Sequence, residues 1–212
     1  MFTPIQIPKT SLTAQTRFIR SAVALGQADN NGVPDEVLIE RYCELAESRV
    51  GIIMAGHAYV TEQGKAHLRQ VGMHDDAVIP AHRAILTAVK EKHPDVLIFS
   101  QLAHAGLPSL AKYTKGVPLT MESDKAELEK VPAAMAAAAL RAVECGYDGV
   151  QIHSGHGYLL ASSLSPYMNK RTDEFKCGPE LLKRVVTAVS EALPAGFPLA
   201  IKMNVTDGVD NS

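Results

Sequence analysis

Five short, nearly unbroken apolar runs recur along this chain, each separated from the next by a longer amphipathic stretch. They span residues 17–23, 51–55, 95–102, 149–153 and 198–203. The segments between them carry apolar residues at helical spacing. Pro34 opens one in which Leu38, Tyr42 and Leu45 share a face. Others cover residues 79–89, 133–145 (with Gly146 as a C-terminal cap) and 182–193. Strands that are apolar throughout, rather than alternately, are strands covered on both faces. With helices between them they form a parallel sheet. The expected fold is therefore α/β, of the (β/α)8 TIM-barrel type and incomplete: about five of eight parallel strand–helix units in one domain over residues 1–212. Eight such units take about 250 residues, so strands six to eight are expected to be missing.

Composition excludes several alternatives. The chain is 46% hydrophobic and 21% charged with a net charge of −2, so neither nucleic acid nor a membrane surface is an expected partner. It holds no apolar run of membrane-spanning length, and its N-terminus does not read as a signal peptide. The three cysteines, Cys43, Cys145 and Cys177, lie far apart in no metal-like spacing, which suits a reducing, cytoplasmic setting. Cys43 and Cys145 fall on helical stretches and read as inert core residues.

The fourth apolar run ends in His153-Ser154-Gly155-His156-Gly157-Tyr158. Parallel barrels place their chemistry at the C-terminal edge of the sheet, where imidazoles can hold an anion or a polarised oxygen and a phenol can pass a proton. Residues two apart on extended backbone point the same way, so His156 and Tyr158 are expected to line one cavity. A zinc site is the other reading of two histidines. It needs further ligands, and although His104 and Asp207 can be named, nothing in the sequence sets them in place. No metal is assigned. Gln101, polar within an apolar strand, needs a partner if buried and is otherwise a rim residue facing water.

Taken together, several motifs resemble the Old Yellow Enzyme family, the NADH:flavin oxidoreductases that include 2,4-dienoyl-CoA reductase-like members. They are Phe2-x-Pro4-Ile5, Arg17-Phe18-x-x-Ser21-Ala22, Gly51-Ile52-Ile53 with Ala58-Tyr59-Val60, and Gln101-Leu102-Ala103-His104-Ala105-Gly106. The fourth strand then runs into His153-x-x-His156-Gly157-Tyr158-Leu159-Leu160, and Leu164-Ser165-Pro166 is followed by Asn169-x-Arg171-Thr172-Asp173-Glu174. The resemblance covers the chain from Phe2 to about residue 207. It implies an FMN-dependent ene-reductase that passes hydride from NADH or NADPH through the flavin to an activated alkene of enone or dienoyl type. The cofactor carries the chemistry and the protein supplies position and electrostatics.

By resemblance, His153 and His156 bind the substrate oxygen and Tyr158 protonates the α-carbon, making these three the catalytic set. His156→Ala is then expected to weaken phenol binding while leaving flavin bound. The same resemblance assigns cofactor contacts to Ser21, Ala22, Val23 and Ala24 at the end of the first strand. It adds Gly56 and His57 at the end of the second, Gln101 at the flavin's pyrimidine edge, and Lys202 at its N1–C2=O edge. Gly56 would allow close backbone approach. Lys202 is expected on a buried strand because Ile201 and Met203 flank it. The plainer reading of His57 is a loop residue, and that of Lys202 a solvent-facing lysine.

The sequence also departs from the family pattern. Ala24 stands where members often have Cys or Thr, Leu107 where they tend to have Arg, and Thr16-Arg17 where Asn-Arg is usual. Arg171 to Glu174 are expected to pin a loop to the barrel top, and Pro132 to delay the third main helix. The family's glycine-rich phosphate site, after the seventh and eighth strands, is not expected among these residues, and an open edge strand is expected instead. Three alternatives therefore stand beside the ene-reductase reading: a flavin-free inactive relative, a half-barrel module completed by a separate C-terminal half or by a second copy, and a metal-dependent hydrolase.

Overall fold

The structure, a computed structural model, describes residues 1–109 and 117–206. Chain order runs β1 (Ile5–Gln6), β2 (Thr13–Ala14), β3 (Ile19–Arg20), α1 (Val37–Glu47), β4 (Ile52–Tyr59), α2 (Ile79–Lys92) and β5 (Leu97–Ala103). It continues with α3 (Lys125–Leu128), α4 (Val131–Cys145), β6 (Gly149–Ser154), α5 (Leu159–Leu164), α6 (Glu180–Ala192) and β7 (Leu199–Met203). Strands β3 to β7 form one parallel sheet in sequential order, with helices between them. This is five staves of a TIM-type barrel, as the spacing of apolar runs predicts.

The two faces of the sheet bury different partners. Ile53, Ala55, Ile98, Leu102, Val150 and Ile152 point outward into the main core against α1, α2, α4 and α6. Ile52, Met54, Leu97 and Phe99 point inward, where Ala14, Ile5, Ile7 and Leu12 from the β1–β2 hairpin cover them. That antiparallel hairpin closes the bottom of the trough and escaped the sequence reading, because its strands are two residues each. Inward-facing side chains at the opposite, C-terminal end are polar, which leaves the top of the trough as the place for chemistry.

Several expectations change in detail. The first parallel strand is only Ile19–Arg20, not residues 17–23, since Ser21 onward leaves the sheet. Strand β4 is longer than expected and bulged: Met54 pairs with Phe99, but the next partners are His57 and Gln101. Three residues on β4 thus oppose two on β5, and His57 lands on the inward face with Met54. Helix α4 begins at Val131 rather than at 133, with Pro132 in its first turn. Proline fits there because the first-turn N–H groups have no helical acceptor. Gly146 does cap the helix, at φ 95°.

The buried setting expected for Lys202 is also corrected. Ile201 is 40% and Met203 52% exposed, because β7 is the edge of the described sheet and no helix among the described residues covers these two side chains. The loop expected to be pinned by Arg171 is pinned. Its guanidinium donates to the carbonyls of Met121 (2.8 Å) and Ser123 (2.7 Å) and pairs with Asp173. Asn169, 3% exposed, donates to the carbonyls of Ser163 (3.0 Å) and Phe175 (2.9 Å). Cys43 and Cys145 are buried and all three cysteines are free thiols.

Candidate active site

Parallel register carries one row of side chains across the top of the trough. His57 pairs with Gln101, Gln101 with Gln151, and His153 with Lys202. Side chains alternate along a strand, so Gln151 shares the inward face with His153 two residues on. Gln101, 2% exposed, donates its amide hydrogen to Gln151 Oε1 at 2.6 Å. The rim reading of Gln101 therefore fails, and its partner is a residue the sequence reading passed over. Period-two spacing from His153 was the available signal.

His153 lies at the centre of the row and is buried, with Nδ1 lacking any hydrogen-bond partner. Its ring centroid is 5.0 Å from that of His156, 5.0 Å from that of Tyr158 and 6.4 Å from that of His57, all edge-on. The Tyr158 hydroxyl and His57 Nε2 are hydrogen-bonded at 3.1 Å. The three side chains of the fourth strand end thus converge as expected, but not by strand alternation. His156 (φ 58°) and Gly157 (φ 69°) form a tight left-handed turn that folds Tyr158 back towards the row. The His156 N–H donates to Asn204 Oδ1 at 3.3 Å, tying this turn to the segment after β7. A histidine at positive φ is uncommon, and such geometry concentrates at functional sites.

The remaining assigned residues frame this row. Lys202 Nζ donates to Ser21 Oγ at 3.1 Å, so β7 meets the segment that follows β3 across the mouth. Ala22 is half-buried, while Val23 and Ala24 are exposed. Gly56 does permit a close approach, and it is to this segment: a Cβ there would sit 2.8 Å from the Val23 carbonyl oxygen. His104 is buried, with Nδ1 accepting the Gly106 N–H at 3.2 Å and Nε2 without a hydrogen-bond partner among the described residues. Asp207 lies outside the described residues. Among the described residues, no cluster of three or more His, Cys, Asp or Glu side chains is placed to hold a metal ion.

Electrostatics favour neutral imidazoles here. Burial lowers the His57 pKa to about 4, with His67 and His156 adding to the effect. Burial lowers His153 to about 3, helped by His156, His57 and Lys202. Burial raises the Tyr158 pKa, keeping the phenol protonated. Away from the site, burial also takes His82 and His104 to about 4.

These shifts predict an acid limb of stability. Unfolded histidines take up a proton as pH falls through 6.5, whereas the folded ones resist until about 4 or below. Between those limits the unfolded state binds more protons, so stability is whole above pH 6.5 and drains as pH falls. The urea midpoint is expected to drop steadily from pH 6.5 to 5, before carboxylates titrate. A flat midpoint across that interval would show that these imidazoles are not buried neutral.

The sequence matches the family model described as NADH:flavin oxidoreductase / NADH oxidase over residues 1–210. The chain belongs to this family. It is 31% identical to the NADPH dehydrogenase of Bacillus licheniformis over 98% of its own length and 64% of that protein's. It is likewise 31% identical to the metal reductase of Desulforamulus reducens, covering 100% of this chain and 33% of that one. The chain therefore spans between a third and two thirds of these curated relatives. Morphinone reductase superimposes with a TM-score of 0.84 at 21% identity, over 95% of this chain and 61% of that one. The Old Yellow Enzyme homologue from Zymomonas mobilis does so at 0.81 and 25% identity, over 95% and 62%. Both likenesses support the barrel-type fold. Among the described residues no helix is long and apolar enough to cross a membrane.

Proposed function

We propose that this chain forms the substrate- and flavin-facing part of an FMN-dependent oxidoreductase that reduces an activated alkene at the expense of NADH or NADPH. The observation that carries the reading is the convergence of His153, His156 and Tyr158 at the C-terminal edge of the sheet, beside Gln101 and Lys202. The residues present fit FMN. Gln101 and Gln151 set amides on the inward face, Lys202 brings a cation to the mouth, and His153 Nδ1 is a buried polar atom without a partner. Bound there, FMN supplies the hydride.

The side chains do the rest. Gln101 gives one amide hydrogen to Gln151, and its remaining polar atoms would be left for the pyrimidine edge of a bound flavin. Lys202, steadied by Ser21, would lie at the N1–C2=O edge of a bound flavin, where a cation would favour negative charge. Ala22, Val23, Ala24 and Gly56 form the adjoining wall. The imidazoles of His153 and His156 donate hydrogen bonds to the carbonyl or nitro oxygen of the alkene and stabilise enolate-like charge as it develops. His153 does so uncharged, since burial keeps it neutral near pH 7. Tyr158, protonated through the same range, delivers a proton to the α-carbon. Three free cysteines, two of them buried, suit a reducing, cytoplasmic setting.

The test is optical and then functional. Purified chain is expected to carry flavin absorbance, or to perturb the spectrum of added FMN. A simple phenol should then bind and perturb it again, and His156→Ala should weaken that second step while retaining flavin. Colourless protein indifferent to FMN would rule the reading out. Loss of flavin in His156→Ala would remove the role given to that residue.

A further inference from the structure

His57 is placed by the irregularity in β4. In a regular strand residue 57 would face the helices, but the bulge after Met54 turns it inward, where Nε2 meets the Tyr158 hydroxyl at 3.1 Å. Its backbone is held as well. Gln70, 1% exposed, donates to the His57 carbonyl at 3.2 Å and accepts the Ala66 N–H at 2.6 Å. This amide ties His57 to the loop that carries His67. The His67 ring lies 5.7 Å from that of His57, and its Nε2 is buried without a hydrogen-bond partner. Phenol, imidazole and second imidazole thus run in series from the site into the loop after β4.

We infer that His57 is a positioning residue that aims the Tyr158 hydroxyl and returns a proton to it after each turnover, with His67 behind it on the path from solvent. The inference rests on the proton-donor role proposed for Tyr158. When that phenol protonates the α-carbon, its O–H bond breaks, a C–H bond forms and a phenolate remains. The Nε2–H of neutral His57 gives its proton to the phenolate, while Nδ1 takes one that enters from solvent through His67. The imidazole ends neutral in its other tautomer, and exchange with water restores the first. One solvent proton is consumed and no other reactant is required. The titratable groups that act on His57 are His67 and His156, with His153 coupled to it in turn, and none of these is a carboxylate. Burial, with His67 and His156, keeps His57 neutral near pH 7, which the exchange needs.

The pairing can be tested without flavin. Ultraviolet titration of tyrosinate, taken as the difference from Tyr158→Phe, reports this one phenol. A hydrogen bond to an ionised oxygen is stronger than one to a neutral oxygen, so His57 favours the phenolate relative to an apolar neighbour. His57→Phe is expected to raise the Tyr158 midpoint by about one pH unit, and His57→Gln, whose amide reaches the Nε2 position, to restore it. A midpoint unmoved by His57→Phe overturns the inference. So does one moved equally by both variants, since packing would then explain the shift. If His57→Phe does not fold, the same contact is read from the other side: Tyr158→Phe should shift the His57 ring nitrogen resonances, and unmoved resonances overturn it.

The return step is read in flavin-loaded enzyme. His57→Gln holds the hydroxyl but cannot exchange protons between two ring nitrogens, so kcat is expected to fall about tenfold with KM nearly unchanged. A kcat equal to the native value refutes the return path. Failure to bind flavin would sink the proposed function alone, because the phenol titration needs none.

Discussion

Replacing Tyr158 with phenylalanine is expected to slow alkene reduction by about two to four orders of magnitude, the usual worth of a positioned general acid. The aromatic ring that packs edge-on to His153 is kept, as is its place in the turn after β6. Only the hydroxyl is lost, together with its 3.1 Å bond to His57 Nε2. Since His153 and His156 remain to hold the substrate oxygen, KM should change little and the loss should fall on kcat. The half-reaction with NADH or NADPH needs no proton at the α-carbon and should proceed at the native rate. Stopped-flow measurement of the two half-reactions separates these outcomes. If the alkene half-reaction slows less than about tenfold, the proton comes from elsewhere and the role assigned to Tyr158 is wrong.

The second large effect concerns stability. Phe175 is 1% exposed and belongs to the loop between α5 and α6. Its N–H donates to Asp173 Oδ1 at 3.0 Å, its carbonyl accepts from Asn169 at 2.9 Å, and the Arg184 guanidinium lies 4.8 Å from its ring centroid. Truncation to alanine removes a buried ring from a segment held at both backbone ends, so the surroundings cannot collapse into the space. Phe175→Ala is therefore expected to cost about 3–5 kcal/mol, a large share of the stability of a domain this size. The chain has no tryptophan, so urea unfolding followed by far-ultraviolet circular dichroism is the suitable measurement. A loss under about 1 kcal/mol would mean that the loop is anchored by the Arg171 and Asn169 hydrogen bonds alone.

How much of the molecule was legible in the sequence depended on whether the signal was local. Apolar runs such as 95–102 and 149–153 announce buried parallel strands because strands covered on both faces are apolar along most of their length, with polar residues confined to the end that carries the site. Gly146 and the helix before it were readable for the same reason, since left-handed φ and helical spacing leave traces within a few residues. The β1–β2 hairpin was not, because two-residue strands carry no period. An open edge strand was expected, yet the exposure of Ile201 and Met203 on it was not, because these residues look alike whether or not a helix covers them.

The site divides along the same line. Residue identities and order determined the α/β class, the set His153, His156 and Tyr158, and the family to which the chain belongs. Which of those side chains touch was decided in three dimensions. One unpaired residue in β4 moved His57 to the inward face, a left-handed turn at His156 and Gly157 brought Tyr158 back to it, and strand register put Gln151 beside Gln101. A single bulge reverses the side to which every later residue of its strand points, yet it depends on pairing with a neighbour some forty residues away. Local composition cannot encode a choice that only the partner strand enforces.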